Sequence, residues 1–175
     1  MIKWSLSGEP LILASASPIR AKVLEAAKLS IDIVPAAIDE DAVKQNALQN
    51  GYSYEGLAIL LAELKAQSVS QQYMGYVLGC DQILVCSKQL FNKPKNLVEA
   101  KAHLSALQGR KHVLITACVL FYAQKRIWHH LSKTPLTMRA LSVSEIDEYV
   151  SSFPEGTFPA TLYYDANANQ KLDAR

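Results

Sequence analysis

The stretch YVLGCDQILVC, from Tyr76 to Cys86, constrains the fold more than any other part of this chain. It is nearly continuous apolar sequence, which suits a central strand covered on both faces. Asp81 interrupts it. A carboxylate inside such a run must be paired, bind a cation, or sit where the strand reaches a cleft. That makes Asp81 the most informative single residue of the chain. Gly79, two residues earlier, leaves room for a ligand or another backbone to approach closely.

A second long buried strand is predicted over KHVLITACVLFY, Lys111 to Tyr122. Near the start, Leu11-Ile12-Leu13 suits a short buried strand, followed by the hydroxyl-bearing turn Ser15-Ala16-Ser17. Ser17 is placed to cap a helix, with Pro18 at its first position and Ile19, Val23, Ala26 and Ala27 at helical spacing. The helix start offers free N–H groups and a partial positive charge, and Arg20 adds a forked donor, so the junction is a candidate phosphate site. Capped strand–helix junctions are common, and most bind nothing.

Ile31 to Val34 reads as a further strand, ended by Pro35. Asp39-Glu40-Asp41 suits either a solvated turn or a metal-reaching strand end, and residues 42–53 read as loop. A helix is predicted from Tyr54 to Gln71, with Leu57, Leu61, Leu64 and Ser68 on one face and Leu60 widening it. Lys65 falls at the edge of that face, where a snorkelling surface lysine is the favoured reading. Ser87-Lys88-Gln89 predicts a hairpin turn into Leu90-Phe91, and Lys93 lies in the loop after it, held extended by Pro94. Asn96 and Glu99 approach a capping box for a helix through Ala100, Leu104 and Leu107, ended by Gly109. Ile127–Leu131 and Thr134–Arg139 suggest an antiparallel pair, with Trp128 read as packing. His129 and His130 point to opposite faces of such a strand and so do not chelate one metal together. Ser142 to Glu145 is a capping box opening a helix that Pro154 ends.

The chain has 175 residues, half of them hydrophobic, and a net charge of +2, so composition favours neither a nucleic-acid nor a membrane partner. Its three cysteines, Cys80, Cys86 and Cys118, form no C-x-x-C pair and suit buried, reduced thiols in a cytoplasmic protein. No apolar run approaches a transmembrane length, and the first ten residues do not suit a signal peptide. The last residues lose all periodicity. Asp165 to Asn169 resembles the start of a calcium loop, but Gln170 stands where the loop needs glycine, which argues against a calcium site. No G-x-S-x-G elbow, Walker A loop, G-x-G-x-x-G or H-E-x-x-H occurs.

The chemistry-bearing residues are thus a hydroxyl and arginine loop (Ser15, Arg20), two acids (Glu40, Asp81) and two lysines (Lys65, Lys93). Hard cations such as Mg²⁺ prefer a few carboxylates plus substrate phosphates, and arginine and lysine neutralise the remaining phosphate charge. Such a set suits phosphoryl chemistry on a nucleotide better than acyl transfer or redox work.

In order along the chain, LASASPIR at 13–20, AAIDE at 36–40, LAELKA at 61–66, GCDQ at 79–82, NKP at 92–94 and LQGRKH at 107–112 resemble the Maf family of nucleoside triphosphate pyrophosphatases, in particular its alphaproteobacterial members. The resemblance implies an α/β fold, with a central mixed twisted sheet, flanking helices and a cleft between two lobes. It implies hydrolysis of non-standard or modified nucleoside triphosphates to monophosphate and pyrophosphate with Mg²⁺ or Mn²⁺, and a link to septum formation and cell division. By position, Asp81 matches the proton acceptor, Glu40 and Asp81 would hold the metal, and Ser15, Arg20, Lys65 and Lys93 would bind substrate. A homodimer is compatible with the resemblance.

Three departures stand out. Ile19 replaces the first of two adjacent arginines, at a position linked to base preference. Gln82 occupies a second such position, where the 7-methylguanosine triphosphate branch also has glutamine; Ile19 fits neither branch, so the base is left open. The family pattern covers 1–153, and residues 154–175 form a divergent tail in place of its glycine-rich segment, hairpin and last helix. An exposed sheet edge and an impaired cleft are expected from that. The alternative function is a remnant that binds nucleotides or division proteins without catalysis.

Overall fold

In the computed structural model, residues 10–152 are described. The calcium-like stretch, Pro154 and the divergent tail lie outside them. The elements are β1 (Leu11–Leu13), α1 (Pro18–Ala26), β2 (Ile31–Ile33), α2 (Glu40–Gln49), α3 (Tyr54–Ser70), β3 (Tyr76–Cys86), β4 (Gln89–Phe91), α4 (Leu97–Leu107), β5 (Lys111–Tyr122), β6 (Lys125–Thr137) and α5 (Val143–Ser151). Six strands form one sheet in the order β2-β1-β3-β5-β6, with β4 paired to β3. β1 runs parallel to β2 and β3, and β4 runs antiparallel to β3, so the sheet is mixed and the class α/β, as expected. Among the described residues no helix is long and apolar enough to cross a membrane.

The described residues fall into two compact units, 10–83 with 114–134, and 84–113 with 135–152. In the first, side chains pair across β3 and β5: the Tyr76 and Tyr122 rings lie 4.6 Å apart, the Cys80 and Cys118 sulfurs 3.4 Å, and Thr116 bonds Gln82 at 3.0 Å. Residue numbers rise on β3 by the same steps as they fall on β5, so these strands are antiparallel and directly opposed. Strand alternation then sends successive residues to opposite faces. Tyr76, Leu78 and Cys80 join Leu11, Leu13 and Ala21 in one apolar cluster, against which Leu24 of α1 packs. Gly79 and Asp81 face α3.

A Cβ on Gly79 would stand 2.1 Å from the Ala62 carbonyl oxygen and 2.7 Å from the Ala66 nitrogen. The close approach expected at Gly79 is therefore to helix backbone. It explains which face of α3 is buried. Leu57, Ala58, Leu61, Ala62, Lys65, Ala66 and Val69 are buried, whereas Leu64 and Ser68 are only half-buried. Alanines, weak as apolar signals, turn inward because only they let the helix settle onto Gly79. Leu60 and Leu64 instead line a groove with Ala42, Val43 and Ala47 of α2.

That packing corrects the loop reading of 42–53. Glu40–Gln49 is helical although it buries only Ala47. Asp39 caps it by accepting the Ala42 N–H at 3.0 Å, and Glu40 and Asp41 complement the helix dipole in the first turn. The predicted pair 127–131 and 134–139 is also corrected, to a single strand. Among the described residues β6 stands at a sheet edge and is exposed almost throughout, so its polar residues cost little, and Pro135 is tolerated there because an outward N–H is not needed. Trp128 is 49% exposed and stacks on His130 rather than entering a core.

The second unit centres on Ala100, Leu104, Leu141, Ile146, Tyr149 and Val150. The Ser142–Glu145 capping box opens α5 as predicted. Asn96 caps α4, but the Glu99 carboxylate accepts the Lys95 N–H, one residue short of a closed box.

Two expected outcomes follow from these contacts. Gly79→Ala forces strand and helix backbones apart and lowers stability by about 3 kcal/mol or more, read by urea unfolding. Ala123 and Gln124, at φ 47° and 65°, make the two-residue turn between β5 and β6 in the left-handed region. Replacing them by Asn-Gly, the pair such turns favour, raises stability by roughly 0.5–1 kcal/mol, seen as a higher thermal midpoint.

Candidate active site

From β1 the chain passes through α1 to β2 on one side, then through α2 and α3 to β3 on the other. The strand order reverses at β1, and ligands of open α/β sheets bind beyond the carboxyl ends of strands at such a point. Ser15 and the start of α1 lie directly past β1, where the Ala14 N–H donates to the Leu78 carbonyl at 2.8 Å.

Lys65 is the hub of the site. It is 6% exposed, and its Nζ lies 2.6 Å from Asp81 Oδ1 and 2.8 Å from Glu40 Oε1. This overturns the surface-lysine reading. The helical wheel places Lys65 at the edge of a leucine stripe; the alanine-led rotation of α3 places it over β3. Asp81 is buried, and Glu40 is half-exposed at the first position of α2, where the Asp39 cap sets it and Lys44 stands 3.8 Å away. Burial pushes the Asp81 carboxyl above its ordinary range, against the pull of the Lys65 ammonium, and the Glu40 charge adds to the rise. For the Asp81 carboxylate, the cost of leaving water outweighs the attraction of Lys65.

The loop from Ser15 to Ser17 leads into a helix as expected, with one correction. Ser17 holds the cap position of α1 but makes no side-chain cap bond. Ser15 does the organising instead: its buried hydroxyl accepts Arg20 Nη1 at 2.8 Å and the Ser17 N–H at 3.3 Å. Arg20 is thereby held in the first turn of α1, within electrostatic reach of Asp81. Ile19, on the same turn, is 48% exposed. Gln82 is exposed on β3, and Thr116 Oγ1 donates to its Oε1 at 3.0 Å. The structure thus brings Ser15, Arg20, Glu40, Lys65, Asp81 and Gln82 into the first unit. Lys93 belongs to the second, exposed in the loop between β4 and α4.

Thr116 went unnoticed in the sequence. Pairing the two long apolar runs as antiparallel strands would have placed it opposite Gln82, but nothing in either run gives the register.

The family described as Maf-like protein matches residues 10–160. A nucleoside triphosphate pyrophosphatase of Granulibacter bethesdensis is 41% identical over 142 residues, covering 81% of this chain and 72% of the relative. A 7-methyl-GTP pyrophosphatase of Mesorhizobium japonicum is 41% identical over 144 residues, covering 82% and 72%. A second protein of that name, from Rhizobium meliloti, is 38% identical over 146 residues, covering 83% and 73%.

The sign of the Asp81 shift has a consequence for stability. A raised folded value means the fold favours the protonated acid, so this contribution is present below the ordinary carboxylate range, near pH ~4, and is lost as pH rises through the folded value. Relative to the native chain, Asp81→Asn therefore gains stability as pH rises above about 4 in metal-free buffer. Urea unfolding across that range checks it; a relative loss would mean that the Lys65 attraction outweighs burial.

Proposed function

The chain belongs to the Maf-like protein family, and from that membership and the Lys65 cluster we propose that it hydrolyses a nucleoside triphosphate to monophosphate and pyrophosphate. The observation that carries the reading is one buried ammonium shared by two carboxylates beside an arginine-bearing helix start. Buried ion pairs are poor stabilisers, and perturbed carboxylates concentrate at functional sites.

The donor set fits a hard divalent cation. Glu40 and Asp81 both reach Lys65 Nζ, at 2.8 and 2.6 Å, so the two carboxylates stand close enough together to share a cation. Among the described residues no three or more His, Cys, Asp or Glu side chains are grouped to hold a metal. Water and phosphate oxygens would complete the shell, as Mg²⁺ prefers. When bound, such an ion acidifies a coordinated water.

The chain's own residues supply the rest. Arg20, steadied by Ser15, and the free N–H groups of α1 bind phosphate oxygens. Lys65 neutralises charge that develops as pyrophosphate leaves. Asp81 Oδ1 is held by Lys65, so Oδ2 is the atom that takes the proton of the water attacking the α-phosphorus. Burial makes this carboxylate a better base than an ordinary aspartate. Lys93 is assigned to the phosphates by its place in the NKP motif.

Gln82 is the base-facing residue of this reading. The Thr116 hydroxyl takes up its amide oxygen, which leaves the NH₂ group to donate to a base acceptor. A non-standard or modified base is the proposed substrate, and Ile19, an apolar side chain beside Arg20, narrows what the site accepts. The relatives from Granulibacter bethesdensis and Mesorhizobium japonicum, both 41% identical, carry different names, so identity alone does not choose the base.

Pyrophosphate release from a panel of canonical and modified nucleoside triphosphates, with Mg²⁺ or Mn²⁺, tests the reading. Turnover is expected to stop on chelation and to fall about 100-fold or more in Asp81→Asn. No turnover from a folded chain that still binds nucleotide would leave the non-catalytic reading in its place.

A further inference from the structure

The sulfurs of Cys80 and Cys118 stand 3.4 Å apart, and neither side chain has a part in the proposed hydrolysis. The pair occupies opposed positions on antiparallel strands, in register with the Tyr76–Tyr122 and Gln82–Thr116 contacts on either side. Opposed residues of an antiparallel ladder have Cα atoms about 4.5–5.5 Å apart. That lies inside the roughly 4.4–6.8 Å span that a disulfide bridges. Side-chain rotation alone therefore closes the bond, with no movement of the strands.

Access and reactivity divide between the two sulfurs. Cys80 is buried, whereas Cys118 is partly exposed and open to a small oxidant. The hydrogen bond to the Cys80 thiol, aided by the Arg20 guanidinium, holds the Cys118 thiol down at about 7. Cys86 is the internal contrast: it is buried, and its sulfur contacts are oxygens, the Lys111 carbonyl at 3.6 Å and Ser87 Oγ at 3.8 Å.

We propose that Cys80 and Cys118 are a peroxide-oxidised pair that closes to a reversible intrachain disulfide. The Cys118 thiolate attacks one oxygen of a hydroperoxide; an S–O bond forms, the O–O bond breaks, and a sulfenic acid and hydroxide (or alkoxide) result. Cys80 then attacks the Cys118 sulfur. The S–S bond forms, the S–O bond breaks, and the Cys80 proton leaves with the hydroxyl as water. Two electrons pass from the thiols to the peroxide, and a dithiol reverses the change. This proposal does not depend on the hydrolytic reading.

The test treats the reduced full chain with one equivalent of hydrogen peroxide in metal-free buffer, followed by alkylation, intact mass and peptide mapping. The expected result is a mass loss of two hydrogens, a fall from three free thiols to one, and a linked Cys80–Cys118 peptide that dithiothreitol releases. Cys118→Ser keeps both of its thiols free under the same treatment. Three alkylated thiols, a bond that includes Cys86 or joins two chains, or overoxidised Cys118 beside a free Cys80 would overturn the proposal.

Discussion

The contact between Gly79 and α3 is the constraint on which the first unit depends. With no side chain on that residue, helix backbone settles directly onto strand backbone, and the buried alanines Ala58, Ala62 and Ala66 form the matching surface. Lys65 stands next to Ala66, so the same approach brings its ammonium to Asp81, two residues beyond Gly79. A larger residue at either contact would separate the elements and leave a carboxylate buried without its cation. Packing and charge are thus coupled through one glycine.

The charge arrangement has a physical logic of its own. One lysine serves two carboxylates, and burial still raises Asp81. An apolar set of the same volume would cost less. Such an arrangement is reasonable where a second cation and an anionic ligand enter together, because each then neutralises part of the other. Arg20, fixed by Ser15 rather than left free in solvent, adds a preorganised donor on the anionic side of that exchange.

β3 distributes these roles by alternation. Gly79 and Asp81 face α3, while Cys80 and Gln82 face the other way, each engaged with its partner on β5. A single strand therefore carries Asp81 on one face and, on the other, Gln82 and one thiol of the Cys80–Cys118 pair, separated by the two-residue period of the sheet. A slip of one residue in its register would exchange all of them between faces. The long ladder with β5 guards against such a slip.

Much of this was legible from local pattern. β1, the start of α1, the long runs of β3 and β5 and the capping box of α5 follow from apolar continuity, Pro18 and the Ser142–Glu145 spacing. Asp81 declared itself because a charge in an apolar run needs a reason. What local pattern could not supply was pairing at a distance. The burial of Lys65 depends on alanines whose inward turn is set by Gly79 on another element. The helicity of α2 depends on a thin Val43 and Ala47 stripe meeting Leu60 and Leu64. The unbroken β6 depends on being an edge, where polar residues and Pro135 cost little. The choice of Ser15 over Ser17, and the meeting of Cys80 with Cys118, depend on loop geometry and strand register. The sequence by itself determined the elements and the residue types that chemistry requires. Only the tertiary structure decided which of them touch, because helical and strand periods state which side of an element is apolar and not what will cover it.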